Sequence, residues 1–206
     1  KGKSEKGEFG WMNLCINSRI LSGSLSGLQR YLLSILKGFD QKAYGYRLLA
    51  PAKPLKIVQS HLWEQFLLPR QLGQLGKKGL LWSPANSGPV SYHNQVVTIH
   101  DLLHLDRPDL HANSFLAPQL YRWMLPRLLR KIKGIIAISQ YTKERIMSLL
   151  SVPEEKIQVI YRTVDDQFSP ASAGDVKRVR NKYNIKWERY VLSLGSLEPK
   201  KNLKTL

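Results

Sequence analysis

Two hydrophobic periods alternate along this chain. Residues 11–16, 46–49, 80–82, 134–139 and 157–161 are short apolar runs bounded by turn residues, a pattern that predicts strands. The clearest run is 94–101, Asn-Gln-Val-Val-Thr-Ile-His-Asp, whose uncharged β-branched middle reads as a strand buried on both faces of a parallel sheet. Between the runs the spacing changes to three and four. Apolar residues at 28, 31, 32, 35, 36 and 39 predict one helix. Residues 61–75 predict a second, with Trp63, Phe66, Leu67 and Leu68 on its apolar side and an interruption at Pro69. Residues 114–133 predict a long third helix, capped by Ser114 and kinked or divided at Pro126. Ser139 is placed to cap a fourth, and 175–183 is a basic helical piece. Strands alternating with helices predict an α/β fold with a doubly wound, Rossmann-like parallel sheet.

The pattern also divides the chain. Residues 1–10 are polar and charged, and read as a tag, linker or ragged start. Residues 11–165 form the first domain. Residues 166–188 are a linker and basic helix, with Pro170, Ser172 and Gly174 in the linker. Residues 189–206 hold a run at 190–194 that reads as the first strand of a second domain, so the chain is expected to be a fragment.

Charge narrows the partners. The 206 residues carry a formal net charge of +17, which implies an anionic partner: a phosphorylated substrate, a membrane surface or nucleic acid. No apolar run reaches the roughly 18 residues of a membrane-spanning helix. The single cysteine, Cys15, can form no intrachain disulfide, which fits a reducing compartment. Exposed-strand aromatics beside basic residues, the mark of RNA-binding sheets, are not visible, and nucleic acid is not expected.

Candidate chemistry gathers where strands end. In open α/β sheets ligands bind outside the carboxyl ends of the strands. His100 and Asp101 end the central strand there, although His100 is open to a second account as a buried structural histidine. Ser22, Gly23 and Gly27 lie in the loop after the first strand, either a ligand loop or a plain turn, and the helix behind it favours anions. Asn86 and Ser87 lie in a small-residue loop after the third strand. Ser139 could contact phosphate or sugar as well as cap its helix. Gly195 followed by Lys200 and Lys201 is a sensible place for a phosphate. His104, His111, Asp106 and Asp109 near Asp101 match no zinc spacing, so solvated loop polarity is expected of His104 and His111 and no metal site is expected.

These pieces resemble a family. The strings N-x-R-x-L-S-G and G-x-Q-R-Y (17–31), W-E-Q (63–65), S-P-A-N-S-G-P (83–89), V-T-I-H-D-L (97–102), A-I-S-Q-Y-T (137–142) and G-S-L-E-P-K-K-N (195–202) are similar, in this order, to the retaining glycosyltransferases of group 1, family 4, headed by bacterial mannosyltransferases. The resemblance implies a GT-B fold of two Rossmann domains, the second truncated here. It implies a hexosyltransferase moving a sugar such as mannose from a nucleoside diphosphate to a polysaccharide or lipid-linked acceptor, without a metal or other cofactor. It places His100 against the transferred sugar, Asp101 as the orienter of the following loop, Gly27 near the donor diphosphate and Lys201 on donor phosphate. A cytoplasmic enzyme, peripheral on the inner membrane face, would fit. Two departures stand out: Ser196 replaces an arginine after the phosphate-loop glycine, and Arg162-Thr163 replaces an Asn-Gly hinge. Two other readings compete: a basic module for nucleic acid or an anionic surface, and a GT-B-like sugar-nucleotide epimerase.

Overall fold

The structure is a computed structural model and describes residues 14–23, 26–75, 79–107, 116–164, 168–195 and 201–205. The chain divides into two compact units, Lys1–Arg162 and Thr163–Leu206.

The first unit is built on six parallel strands: β1 (Leu14–Asn17), β2 (Tyr46–Leu49), β3 (Leu80–Ser83), β4 (Gln95–Ile99), β5 (Gly134–Ala137) and β6 (Ile157–Val159). Their order across the sheet is β2-β1-β3-β4-β5-β6. The chain leaves β1 toward one side and returns on the other, so a crevice opens between the carboxyl ends of β1 and β3, the place where doubly wound sheets take ligands. The loops after β1, β3 and β4 all end there.

The strands carry side chains to alternate faces. Cys15 and Leu81 pack on one face with Leu49, Trp63, Leu68 and Leu72. Their neighbours Ile16 and Trp82 pack on the other with Tyr31, Leu32 and Leu36 of helix α1 (Gly27–Gln41). The largest core joins β4 and β5 to the two later helices, α5 (Leu116–Lys131) and α6 (Gln140–Leu150), through Val97, Ile99, Ile135, Leu125, Leu128, Leu129 and Ile146. Trp82 Nε1 donates to Thr98 Oγ1 at 2.9 Å, so a polar atom within the sheet core keeps a partner.

Two helical expectations need correction, the break at Pro69 and the apolar side of residues 61–75, and at Pro126 the helix is not divided. Residues 57–74 run as α2 (Ile57–Leu62), a π-helical turn (Trp63–Leu67) and α3 (Leu68–Gln74). Pro69 does not interrupt the helix; it stands at the start of α3, where a missing N–H is tolerated. The apolar side also differs from the expected one. Phe66 and Leu67 are exposed, while Glu64 is fully buried. In α5 Pro126 sits inside a single helix, held by the buried Leu125, Leu128 and Leu129 around it. The proposed cap Ser114 lies outside the described residues.

The histidine-rich segment after β4 forms a short helix, α4 (Leu103–Asp106). His104 is not a solvated loop residue: it stacks on Tyr121 with ring centroids 4.9 Å apart. Asp106 is paired with Arg145. His111 and Asp109 lie outside the described residues.

The second unit holds α7 (Ala173–Lys182), capped by Ser172, which accepts from Asp175 N at 3.1 Å. Residues 190–194 form no strand, and Val191, Leu192 and Leu194 are exposed. An apolar run becomes a strand only when neighbours take its backbone hydrogen bonds.

Candidate functional site

β4 delivers His100 to the crevice as expected, and the residue is 7% exposed. Its Nε2 lies 2.7 Å from the Pro84 carbonyl oxygen. A carbonyl only accepts, so Nε2 carries the proton and donates it. Nδ1 is then a lone-pair acceptor, and it is buried with no partner. Burial pushes the His100 pKa down, and Arg162 pushes it further; the Pro84 hydrogen bond and Asp101 oppose this without cancelling it. The ring is therefore a neutral imidazole with one unused acceptor.

The surroundings of His100 are aromatic and cationic. Tyr31, on the first turns of α1, meets the imidazole edge-on at 4.8 Å and 89°. The Arg162 guanidinium lies 5.5 Å from the Tyr31 ring centre and donates to the Gly27 carbonyl at 2.8 Å. Gly27 opens α1, whose N-cap is Ser26 in a reciprocal capping box with Gln29. The replaced hinge residue thus places a cation beside a helix amino end, a combination suited to an anionic group. A Cβ at Gly27 would approach nothing closer than the Arg162 guanidinium at 3.9 Å, so close packing does not demand glycine there.

Asn86 adopts a positive φ of 45°, which Asn tolerates better than most residues. Its Oδ1 accepts from His100 N at 2.6 Å, and its own N donates to Thr98 O at 2.9 Å. Asp101 is exposed, and its Oδ1 accepts from Leu103 N at 3.2 Å, so it fixes the turn into α4. Ser139 caps α6 by accepting from Thr142 N at 3.1 Å, and Thr142 Oγ1 donates to the His100 carbonyl at 3.5 Å. Ser22 Oγ donates to Arg19 O at 2.7 Å, and a Cβ on Gly23 would come 3.2 Å from Gln29 Nε2.

A polar cluster that sequence reasoning missed lies beside this group. Glu64 Oε1 accepts from Asn17 Nδ2 at 2.7 Å, Arg19 Nε at 2.9 Å and Ser87 Oγ at 3.1 Å. Arg19 also donates to Ser60 Oγ at 3.1 Å and Ser87 Oγ at 2.7 Å. His61 Nδ1 lies 3.6 Å from Glu64 Oε2. Burial pushes the Glu64 carboxyl pKa up, but Arg19 and His61 together outweigh it and hold the group below its usual range. A cleft opens above the cluster between His61, Asn86 and Ser87 and the α5 residues Leu120, Tyr121, Met124, Leu125 and Leu128. Burial, aided by Glu64, pushes the Tyr121 hydroxyl pKa up to about 12. The strings N-x-R-x-L-S-G, W-E-Q and S-P-A-N-S-G-P each hold members of the cluster, but nothing local in the sequence joins them.

In the second unit, Lys201 is exposed and its aliphatic stem lies near Gly195, where an added Cβ would come 3.7 Å from Lys201 Cε. Lys200 and Ser196 lie outside the described residues.

Residues 80–168 match the family model described as Glycosyltransferase Family 4. Over that segment, a little under half of its length, the chain is similar to the family 4 glycosyltransferases. It is 27% identical over 143 residues to the O-antigen chain mannosyltransferase RfbU of Salmonella typhimurium, a match covering 69% of this chain and 36% of that protein. It is 26% identical over 121 residues to the O-antigen chain mannosyltransferase B of Escherichia coli, covering 57% of this chain and 30% of that one. The matched region thus spans about a third of the length of these curated relatives. Among solved structures, Anabaena Alr3699/HepE in complex with UDP superposes with a TM-score of 0.53 at 15% identity, over 84% of this chain and 50% of that chain. The same protein with UDP and glucose gives 0.54 at 17%, with the same coverage. These likenesses show the fold alone, a Rossmann-like parallel sheet of the GT-B kind. The matched family 4 segment contains Asn86, Ser87, His100, Asp101, Ser139 and Arg162, while Gly27, Tyr31 and Glu64 reach the same crevice from before it.

Proposed function

We propose that this chain is the acceptor-side part of a retaining hexosyltransferase that moves mannose from a nucleoside diphosphate to a glycan or lipid-linked acceptor. The observation that carries the reading is the buried, unpaired Nδ1 of a neutral His100 at the crevice. A sugar hydroxyl is the natural donor to such a lone pair, whereas an anion would be repelled by it. The relatives are mannosyltransferases by name, and the similar structure holds UDP and glucose, which supports a nucleotide sugar as donor.

In this reading the bond from the anomeric carbon to the phosphate oxygen breaks, and the diphosphate departs with the electron pair. The acceptor oxygen bonds to the same face of the sugar, and its proton passes to the leaving phosphate. The Arg162 guanidinium and the α1 amino end stabilise the charge that develops on the diphosphate. His100 orients the transferred sugar. Lys200 and Lys201 remain our proposed phosphate contacts, and the cleft at His61, Asn86, Ser87 and Tyr121 our proposed acceptor site. No metal or other cofactor is part of the proposal. The test is transfer of labelled mannose by a protein that carries this chain together with a donor-binding domain. An α-linked donor should yield an α-linked product, and a β-linked product or no transfer from any hexose donor would contradict the reading.

We also propose that the enzyme associates with anionic membrane at its cytoplasmic face. Among the described residues no helix is long and apolar enough to cross a membrane. Leu62, Phe66, Leu120 and Trp123 are nevertheless exposed, on helical segments that meet at the His61–Tyr121 ring contact. Arg127 lies over Trp123 at 4.4 Å, and Arg122, Arg130 and Lys131 add charge along α5. Lipid headgroup attraction acts over about 10 Å at 0.1 M salt. Sedimentation should show weak binding to anionic vesicles that high salt releases, and equal binding to neutral vesicles would contradict it.

A further inference from the structure

We infer that Glu64 and Gln65 are positioning residues for His100, acting through the loop at residues 84–90. The inference rests on reading His100 as the sugar-facing group, but its physical content can be measured without any sugar.

Two consecutive side chains of the π-helical turn grip this one loop. Glu64 Oε1 takes the Ser87 hydroxyl at 3.1 Å. Gln65 Nε2 donates to Gly88 O at 3.0 Å, and Gln65 Oε1 accepts from Val90 N at 3.0 Å. Neighbouring side chains on a regular helix diverge by about 100°. Single-turn π segments interrupt that geometry and recur at functional sites. Trp63, 5% exposed, anchors the turn in the core beneath.

The gripped loop makes the hydrogen bonds to the His100 ring and to its backbone N–H. The Pro84 carbonyl accepts from Nε2 at 2.7 Å, and Asn86 Oδ1 accepts from the His100 backbone N–H at 2.6 Å. The chain of contact runs from the Glu64 carboxylate and Gln65 amide to Ser87, Gly88 and Val90, then to Pro84 and Asn86, then to the imidazole. Its effect is chemical as well as geometric. While Pro84 O stays within reach, the proton stays on Nε2 and Nδ1 keeps its lone pair. If the loop moves away, the ring is free to carry the proton on Nδ1, and the acceptor becomes a donor.

A purely structural role explains the cluster poorly. A buried ion pair stabilises a fold little compared with apolar side chains of the same volume. What the Arg19–Glu64 pair supplies is direction: Arg19 Nη2 and Glu64 Oε1 both bond Ser87 Oγ, which fixes that hydroxyl from two sides. Misplacement of about 1 Å far from the reacting atoms can lower a rate a hundredfold.

Ring-nitrogen NMR of the histidine-labelled chain tests this, with the His100 signals assigned from the spectrum of His100→Ala. The wild-type chain should show His100 as a single Nε2–H tautomer. Gln65→Leu removes two grips on the loop and leaves the Arg19–Glu64 pair intact; Glu64→Gln removes the charge that the Ser87 hydroxyl bonds to. Each should convert His100 to a mixture of tautomers while the exposed His93 keeps its wild-type pattern. Gln65→Leu decides the matter if Glu64→Gln fails to fold. A folded Gln65→Leu chain whose His100 keeps the pure Nε2–H tautomer overturns the inference. Failure of sugar transfer would overturn the functional reading and leave this result standing.

Discussion

Arg19→Met is expected to lower stability by about 3–5 kcal/mol, the scale on which breaking one side of a buried ion pair acts. The Arg19 side chain is 12% exposed and the Glu64 side chain 0%, at 2.9 Å. Removing the guanidinium leaves a carboxylate inside the protein with Asn17, Ser87 and the more distant His61 for company. For a domain of this size the midpoint should fall by at least about 6 °C. The pH dependence should weaken as well. In the wild-type chain Glu64 has a depressed pKa. Its contribution is therefore present above the unfolded value of about 4.3 and lost as pH falls through the lower folded value. In Arg19→Met burial is opposed by His61 alone, so the folded pKa should lie above its wild-type position and the variant should lose less stability on acidification than the wild-type chain. Thermal melts across the acid range check both claims. Adding Glu64→Gln should recover part of the loss, because no charge is then stranded. A variant that melts like the wild-type chain would show that the pair is solvated.

Much of this was legible in the sequence. The run from Val97 to Ile99 is buried as its composition required, and the strand ends with His100 in the crevice. Alternating strands and helices gave the parallel sheet, because short apolar runs and three-to-four spacing report burial directly. The Arg19–Glu64 pair was not legible. Its members are 45 residues apart, and a glutamate in a helical segment ordinarily reads as solvent-facing. Glu64 shares the buried face of Leu68 and Leu72, while Phe66 points outward. Residues 190–194 have the composition of a strand but not the neighbours, and pairing partners are invisible to a local pattern. The tautomer of His100 depends on a carbonyl 16 residues earlier, which only the folded loop brings within reach.

The second large effect concerns His100 itself. His100→Ala is expected to lower turnover by about a hundredfold or more, the scale on which removing one oriented polar contact to a reacting group acts. The fold should tolerate the change. The ring contributes an edge contact to Tyr31, worth about 1 kcal/mol, and its hydrogen bond to Pro84 O. The backbone contacts to Asn86 and Thr142 do not involve the side chain and survive. His100→Asn keeps a side-chain acceptor, though a shorter one, and should retain more activity than alanine.

The decisive comparison is mannose transfer and thermal midpoint measured together for wild type and His100→Ala, in a protein that carries this chain with a donor-binding domain. The account predicts turnover down by about a hundredfold with the midpoint lowered by only about 2–4 °C. Near-normal transfer, or transfer lost only in step with stability, would contradict it.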